Sequence, residues 1–269
     1  MGMHVGDDSV RVRPEWIGRE ALAALETLGL GPEVEDEVLQ AVRAGAVMVD
    51  EAAPLSPLVR ACLECERPTS PQRLHEMADL VRLMYEHHVR LSALVGKPWF
   101  DRLEKLSACN ADGLGRDLLE ILEDHTDSQW LIVDCAGVLL EPELRHAVAA
   151  VLTPWNIVTV EHAVCPARTT TDGFWSALAE AGIDHAVVKV NAIDRLLHER
   201  NESFGNLQRL VAAELEVSLR RVADQIDRRR PLIVLADHGF RMSPDGRSWR
   251  HGGPSWLERV VPVIELEPV

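Results

Sequence analysis

The sequence contains no run of about 18 consecutive apolar residues, which is the length that marks a membrane-spanning helix. Its opening residues, MGMHVGDDSV, also lack a basic segment followed by an apolar one, so a secretory signal is not expected. These two absences predict a chain that does not associate with membranes and that works in the cytoplasm.

Cysteine is scarce as well. The 269 residues include 5 cysteines, and this odd number argues against a disulfide framework and fits a reducing compartment. Cys62 and Cys65 form a CxxC pair, but no second pair follows at the spacing of a zinc ribbon. We therefore expect these two thiols to be free and buried in a helix.

Positive charge is in the minority, because 28 Lys and Arg stand against 43 Asp and Glu, a formal net charge of −15. Such an acidic chain repels polyanions at long range, which argues against nucleic-acid binding through general electrostatics. A metal site remains compatible with this charge, since carboxylates bind hard and borderline cations. With 46% hydrophobic residues, the chain can form a substantial core.

The pattern of apolar residues divides the chain into two parts, 1–125 and 126–269. After an irregular segment at 1–12, the first part shows helical periodicity and no convincing strand. It is predicted to be a helical module, with helices near 15–28, 33–44, 70–94 and 114–122.

The second part alternates short aliphatic strands with amphipathic helices. Strands are predicted at 130–134, 157–160, 186–190, 232–236 and 260–266, and helices at 142–152, 172–181 and 207–228. This alternation is typical of βαβ units, so we expect an α/β fold with a mostly parallel sheet sandwiched by helices.

Polar residues that can bind metal ions stand where these strands end. They are Asp134 after the first strand, the threonines of 169–171 after the second, Asp194 and His198 after the third, and Asp237, His238 and His251 after the fourth. Because parallel strands end along one edge of a sheet, these residues can meet although they are far apart in the chain. The less specific alternative is an Asp-His turn with His251 on the surface.

The spacing of these residues predicts two metal sites. Asp194 and His198 are four positions apart, which places both on one face of a helix, and His251 would complete a three-ligand site with an open position. A second ion would be held by Asp134, Asp237, His238 and a threonine hydroxyl. Two divalent ions about 4 Å apart can clamp a phosphoryl group, and zinc is the first choice for them, with manganese as the alternative.

The order Asp, Thr, Asp-x-x-x-His, Asp-His, His resembles the alkaline phosphatase superfamily. The segment HGGPSWLERVVP at 251–262 resembles the PglZ-domain branch in particular, and the likeness covers about 128–269. It implies an alkaline phosphatase-like core. It also implies a threonine nucleophile, which is phosphorylated in the first half-reaction, and metal ligands at Asp134, Asp194, His198, Asp237, His238 and His251.

Two threonines compete for the role of nucleophile. Pro166 resembles the family's Pro-x-x-Thr loop and favours Thr169, which would also cap the next helix, with Asp172 at the capping-box position. The apolar pair at 177–178 favours Thr171 instead. The sequence slightly favours Thr169, and either hydroxyl would lie at a helix N-terminus, where free N–H groups help to bind phosphate.

The chain departs from the family pattern in three places. Cys135-Ala-Gly follows Asp134 where the family often has an arginine, Pro254 replaces a more aliphatic residue, and the domain is small. These departures imply an open site or one completed by another chain or by the helical module. Arg241, Arg247 and Arg250 either bind phosphate oxygens or are solvated loop residues.

The resemblance and the six ligand positions together predict a phosphodiesterase or phosphomonoesterase, whose substrate is a phosphate ester such as a nucleotide. The alternative is a PglZ-like regulatory or phage-defence component that acts mainly by binding a partner, with the helical module as the contact surface. A sulfatase would need a Cys/Ser-x-Pro-x-Arg motif, and Cys165-Pro-Ala-Arg168 has the wrong spacing. Clustered carboxylates and histidines favour the enzyme, because they are costly to keep for shape alone.

Overall fold

A computed structural model describes residues 71–86, 88, 104–105, 107–153, 155–166, 169–183, 187–199, 202–243 and 248–269. The chain divides into two compact units, one of Met1–Cys65 with His87–Arg102 and the other of Glu66–Glu86 with Leu103–Val269. The predicted helices at 15–28 and 33–44 lie outside the described residues. Apart from His88, all described residues belong to the second unit.

The second unit is an α/β structure built on one six-stranded sheet. Its strands are β1 Arg116–Asp117, β2 Gln129–Val133, β3 Asn156–Val164, β4 Val187–Val190, β5 Leu232–Ala236 and β8 Val260–Glu267, in the order β1-β3-β8-β5-β2-β4. Five strands run parallel, and β8 is antiparallel to both β3 and β5. The prediction of a mostly parallel sheet is confirmed. A separate ribbon pairs β6 Arg241–Met242 with β7 Trp249–Arg250.

The part of the chain that the structure describes also contains α-helices, several of which pack against this sheet. They are α1 Pro71–Glu86, α2 Leu118–Asp124, α3 Glu141–Val151, α4 Thr171–Glu180, α5 Ala192–Glu199, α6 Phe204–Val222 and α7 Trp256–Arg259. Every residue of β5 is buried, and side chains alternate between the two faces of a strand, so both faces are covered there. Helix α6 contacts α1, α3 and α5. Among the described helices, none combines the length and the apolarity needed to span a bilayer.

The compact unit extends further toward the N-terminus than the expected boundary at 125–126. Helix α1 belongs to it, and Arg82 of α1 donates a hydrogen bond of 2.9 Å to Glu143 of α3. Strand β1 pairs with β3, so the expectation of no strand before 126 is wrong. With only two residues, β1 is too short to produce an alternating pattern in the sequence.

The loops that follow β2 and β5 are pressed against each other. A Cβ added at Gly137 would collide with the backbone of Gly239, and one added at Gly239 would collide with the carbonyl oxygen of Leu257. Only glycine permits this close approach. Because Gly137 and Gly239 follow Asp134 and Asp237 by three and two positions, the packed glycines hold the two carboxylates side by side.

Candidate metal centre

The first group of donor atoms comes from α5 and from the loop after β7. One turn of α5 separates Asp194 from His198, and His251 approaches from the loop. Asp194 Oδ1 lies 3.1 Å from His198 Nε2 and 3.3 Å from His251 Nε2. The two histidine nitrogens are 3.0 Å apart. The three ligands predicted for the first site therefore meet.

These spacings suit a tetrahedral cation. Ligand bonds of about 2.0–2.1 Å place neighbouring donors of a tetrahedron about 3.3 Å apart, and the three observed distances are close to that value. The His198 side chain is 57% exposed, so the group opens to solvent on one side. A three-ligand arrangement with an accessible position is the form that catalytic zinc sites adopt.

The second group is buried at the ends of β2 and β5. The parallel register pairs Val133 with Ala236, so the residues that follow them, Asp134 and Asp237, leave the sheet together. His238 Nε2 lies 3.5 Å from Asp134 Oδ1 and 3.8 Å from Asp237 Oδ2. All three residues are buried, and their donor atoms lie close enough to share an ion.

The hydroxyl of Thr171 belongs to this second group. Its Oγ1 lies 3.2 Å from Asp134 Oδ1 and 3.2 Å from Asp237 Oδ2, and it donates to these carboxylates. Thr169 is turned away, because its hydroxyl is buried and donates a 2.8 Å hydrogen bond to the carbonyl oxygen of Gly253. The geometry thus favours Thr171, opposite to the preference drawn from the sequence.

The prediction that Thr169 caps the helix is wrong. Thr170, and not Thr169, is the N-cap of α4, since its side chain accepts a hydrogen bond from the Gly173 N–H. With Thr170 as the cap, the helix starts one residue later than a Thr169 cap requires. This shift brings Thr171 to the first position of α4 and directs its hydroxyl at the carboxylates.

The electrostatic state of the second group favours a bound cation. Burial, and then the charge of Asp134, raise the pKa of Asp237 to about 7. Burial lowers the pKa of His238 and of His251, so both imidazoles are neutral and can act as ligands. His238 Nδ1 lies 3.2 Å from the Gly239 carbonyl oxygen, and a proton donated there leaves Nε2 free to face Asp134. A divalent ion would stabilise the two buried carboxylates in their charged form.

The two groups adjoin each other through their histidines. The rings of His238 and His251 stack with centroids 4.6 Å apart and planes inclined by 19°. One residue from each group is therefore in direct contact. The two predicted ligand sets form one continuous centre.

Two residues of this centre were not predicted from the sequence. Cys135 Sγ lies 3.4 Å from Asp194 Oδ1 and 3.3 Å from His238 Nδ1, between the two groups. Lys189 Nζ lies 3.1 Å from Asp134 Oδ2. The available signals were a thiol directly after the first aspartate and a single charged residue within the aliphatic strand β4.

Two of the three arginines considered as phosphate ligands bind carboxylates of the protein. Arg241 pairs with Glu104 at 3.1 Å and with Glu258 at 3.2 Å, and Arg250 pairs with Glu104 at 3.4 Å. Arg241 is mostly buried, so it is not a solvated loop residue. Arg247 lies outside the described part of the chain.

A comparison with protein-family models finds no match, and neither does a comparison with curated proteins. The class that the fold and the site define is therefore an α/β protein whose buried Asp, Cys and His groups could hold metal ions.

Proposed function

We propose that the chain is a metal-dependent hydrolase of phosphate esters that uses Thr171 as its nucleophile and two divalent cations, zinc in the first place. The observation that carries this proposal is the position of the Thr171 hydroxyl, which lies 3.2 Å from the carboxylates of both Asp134 and Asp237 and beside the first group, Asp194, His198 and His251. The same residues in the same order underlie the resemblance to the alkaline phosphatase superfamily.

The side chains present fit a two-step transfer through Thr171. The oxygen of Thr171 would form a bond to phosphorus while the bond to the leaving alcohol breaks, and an adjacent carboxylate would accept the hydroxyl proton. Two bound cations would supply charge to hold the phosphoryl oxygens and would lower the pKa of a hydroxyl that they contact. Water would then cleave the phosphothreonine and restore the Thr171 hydroxyl, releasing phosphate from a monoester substrate or a phosphate monoester from a diester substrate.

Two further features favour an anionic substrate at this position. Thr171 is the first residue of α4, and the dipole of a helix attracts phosphate at this end. Lys189 projects into the same group of carboxylates, and its ammonium could donate to a phosphoryl oxygen. These positive groups offset the repulsion between the substrate and the acidic residues.

We also propose that the fold is an alkaline phosphatase-like core of the PglZ type. The six-stranded sheet is compatible with that core and also with a Rossmann-like one. The competing function is a PglZ-like regulatory or defence component that binds a partner and does not turn over substrate. Both functions are compatible with bound metal, so metal alone does not separate them.

The experiment measures metal content and hydrolysis on the same sample. The purified chain, prepared without chelator, is analysed for zinc and manganese and is then assayed on bis- and mono-nitrophenyl phosphate. We expect about two ions per chain and hydrolysis that chelation abolishes and added zinc restores. Asp237→Ala should lose activity, while Asp227→Ala, on a surface turn, should keep it.

Each outcome bears on one part of the proposal. Bound metal without hydrolysis of either ester would favour the partner-binding alternative. Hydrolysis that survives complete chelation would overturn the two-metal mechanism. Absence of metal uptake on titration would overturn the metal centre itself.

A further inference from the structure

We propose that the thiolate of Cys135 is a ligand of the metal centre and is shared between its two donor groups. This inference rests on the cation binding proposed above and not on hydrolysis. It adds a sulfur ligand to a centre otherwise made of carboxylates and imidazoles.

The position of Cys135 Sγ supports this assignment. It lies 3.4 Å from Asp194 Oδ1 of the first group and 3.9 Å from His238 Nε2 of the second. A tetrahedral zinc with a sulfur bond of about 2.3 Å and an oxygen or nitrogen bond of about 2.0 Å places these donors about 3.5 Å apart. Cys135 can therefore share an ion with either neighbour.

Cys135 also connects donors that otherwise belong to different groups. Its sulfur could share an ion with Asp134 and Asp194, and it could equally share one with His238 and His251, because the donor atoms of each combination lie close together. Each combination contains one member of each group. A ligand that bridges two cations lies close to the other ligands of both, as the Cys135 sulfur does here.

The backbone of Cys135 serves the same arrangement. Its φ is 63°, in the left-handed region that residues other than glycine rarely adopt. In this conformation the Cys135 N–H donates to Asp237 Oδ1 at 3.1 Å, while the side chain reaches the donors of both groups. One residue thus orients a carboxylate through its backbone and offers a sulfur through its side chain.

A sulfur ligand restricts the choice of cation. Thiolates favour zinc and other borderline or soft metals, whereas carboxylates and water suit magnesium and manganese. On binding, the S–H bond is replaced by a bond from sulfur to metal, and the proton passes to the buffer. We therefore expect zinc or cobalt to bind well ahead of manganese.

The test uses cobalt(II) as the probe and the full chain with Cys62→Ser and Cys65→Ser, which removes the CxxC pair as a competing ligand. Cobalt bound to a thiolate shows a sulfur-to-metal charge-transfer band in the near ultraviolet, whereas cobalt bound to imidazole and carboxylate shows only visible bands. We expect both kinds of band in this parent chain. Cys135→Gly and Cys135→Ser should lose the ultraviolet band, keep visible bands and bind cobalt at least about tenfold more weakly.

The matched control is Cys165→Ser. Cys165 is also buried, but its sulfur donates to the Asp237 carbonyl oxygen at 2.9 Å, so its loss should leave the ultraviolet band unchanged. Cys135→Gly should still fold, because glycine readily adopts the positive φ of this position, so a lost band in this variant cannot be attributed to misfolding.

The outcomes separate this inference from the proposed function. Visible bands in the parent chain without a Cys135-dependent ultraviolet band would overturn the sulfur ligand and leave the metal centre standing. No cobalt spectrum at all would overturn both. We expect Cys135→Gly to lose the ultraviolet band and to bind manganese as tightly as the parent chain does. These two results together would support the sulfur ligand.

Discussion

At the scale of single residues, the proposal of Thr171 rather than Thr169 as the nucleophile rests on where their hydroxyls point. Thr171→Ala should reduce kcat by several orders of magnitude while both cations still bind, because no neighbouring hydroxyl takes its place. Thr171→Ser should keep part of the activity. The checks are steady-state kinetics and metal analysis of the same preparations.

Thr169→Ala is the matched control for this prediction. It removes one buried hydrogen bond to the Gly253 carbonyl oxygen, which should cost about 1 kcal/mol of stability and leave most of the activity. Reversed results would return the role of nucleophile to Thr169. Full activity in both variants would leave a water molecule as the attacking group.

Lys189 should affect substrate and metal in opposite directions. Lys189→Met would remove the proposed charge-assisted hydrogen bond to phosphate, worth roughly 1.5–3 kcal/mol, which corresponds to a rise of about 10–150-fold in KM. It also removes a positive charge beside Asp134, so the metal should bind more tightly. Steady-state kinetics and calorimetric metal titration test the two effects.

The control for this prediction is Lys189→Arg, which keeps the charge and should stay close to the parent in metal affinity. A Lys189→Met variant with unchanged KM would show that the lysine only neutralises Asp134.

Sequence reasoning could find the aspartates and histidines of the centre because each follows a strand or lies one helical turn from its partner. Asp134 and Asp237 follow β2 and β5, which pair in parallel, and Asp194 and His198 share α5. In the sequence alone, Cys135 is only a departure from a family pattern. The role proposed for it depends on a positive φ and on spacing across strands, and neither can be inferred from the order of residues.

At the scale of elements, the sequence predicted the positions of the strands along the chain better than their directions in the sheet. The last strand was expected near 260–266 and is observed at Val260–Glu267, but it is antiparallel and lies between β3 and β5. A run of aliphatic residues fits either direction, because the direction depends on the connection and not on composition. The ribbon of β6 and β7 was missed because two-residue strands carry no periodic pattern.

The contact between Gly137 and Gly239 makes the two carboxylate loops depend on each other. Gly239→Ala would force these loops apart and should lower the free energy of unfolding by about 1–3 kcal/mol and weaken metal binding. Urea unfolding of the chelated chain, followed by metal titration, measures both effects.

Gly205→Ala provides the control for this prediction. Among the residues that the structure describes, an added Cβ there meets only Glu86 Cγ, at an ordinary 3.7 Å, so the substitution in helix α6 should stabilise the chain by up to about 1 kcal/mol. Equal effects of the two substitutions would argue that the glycine contact has no special role.

At the scale of the whole molecule, the folding stability of the chelated chain should depend on pH. Asp237 has an ordinary pKa of 3.8 and a folded-state pKa of about 7, so between these values the folded chain holds a proton that the unfolded chain has released. Its contribution to stability is therefore full at low pH and is lost as the pH rises toward 7. From about pH 5 to about pH 8 the loss is roughly 2–3 kcal/mol.

The comparison with Asp237→Asn isolates this contribution. His238 and His251 have lowered pKa values and act in the opposite sense, since the stability they contribute is lost as the pH falls through their ordinary pKa of 6.5. Both histidines remain in the variant. Urea unfolding in the presence of chelator should show the loss at high pH in the parent chain and not in Asp237→Asn, and identical pH profiles would contradict the assignment.

The two donor groups differ in how far along the chain their members are spread. Asp194 and His198 lie within one turn of α5, so a growing or unfolded chain already carries them as neighbours. Asp134 and Asp237 become neighbours only when β2 and β5 have paired. Cation binding to an unfolded chain reduces the stabilisation that the same cation gives to the folded one. If cations bind as proposed, Asp194 and His198 could bind one before the sheet has formed, with little gain in stability, whereas Asp134 and Asp237 could share one only after β2 and β5 have paired.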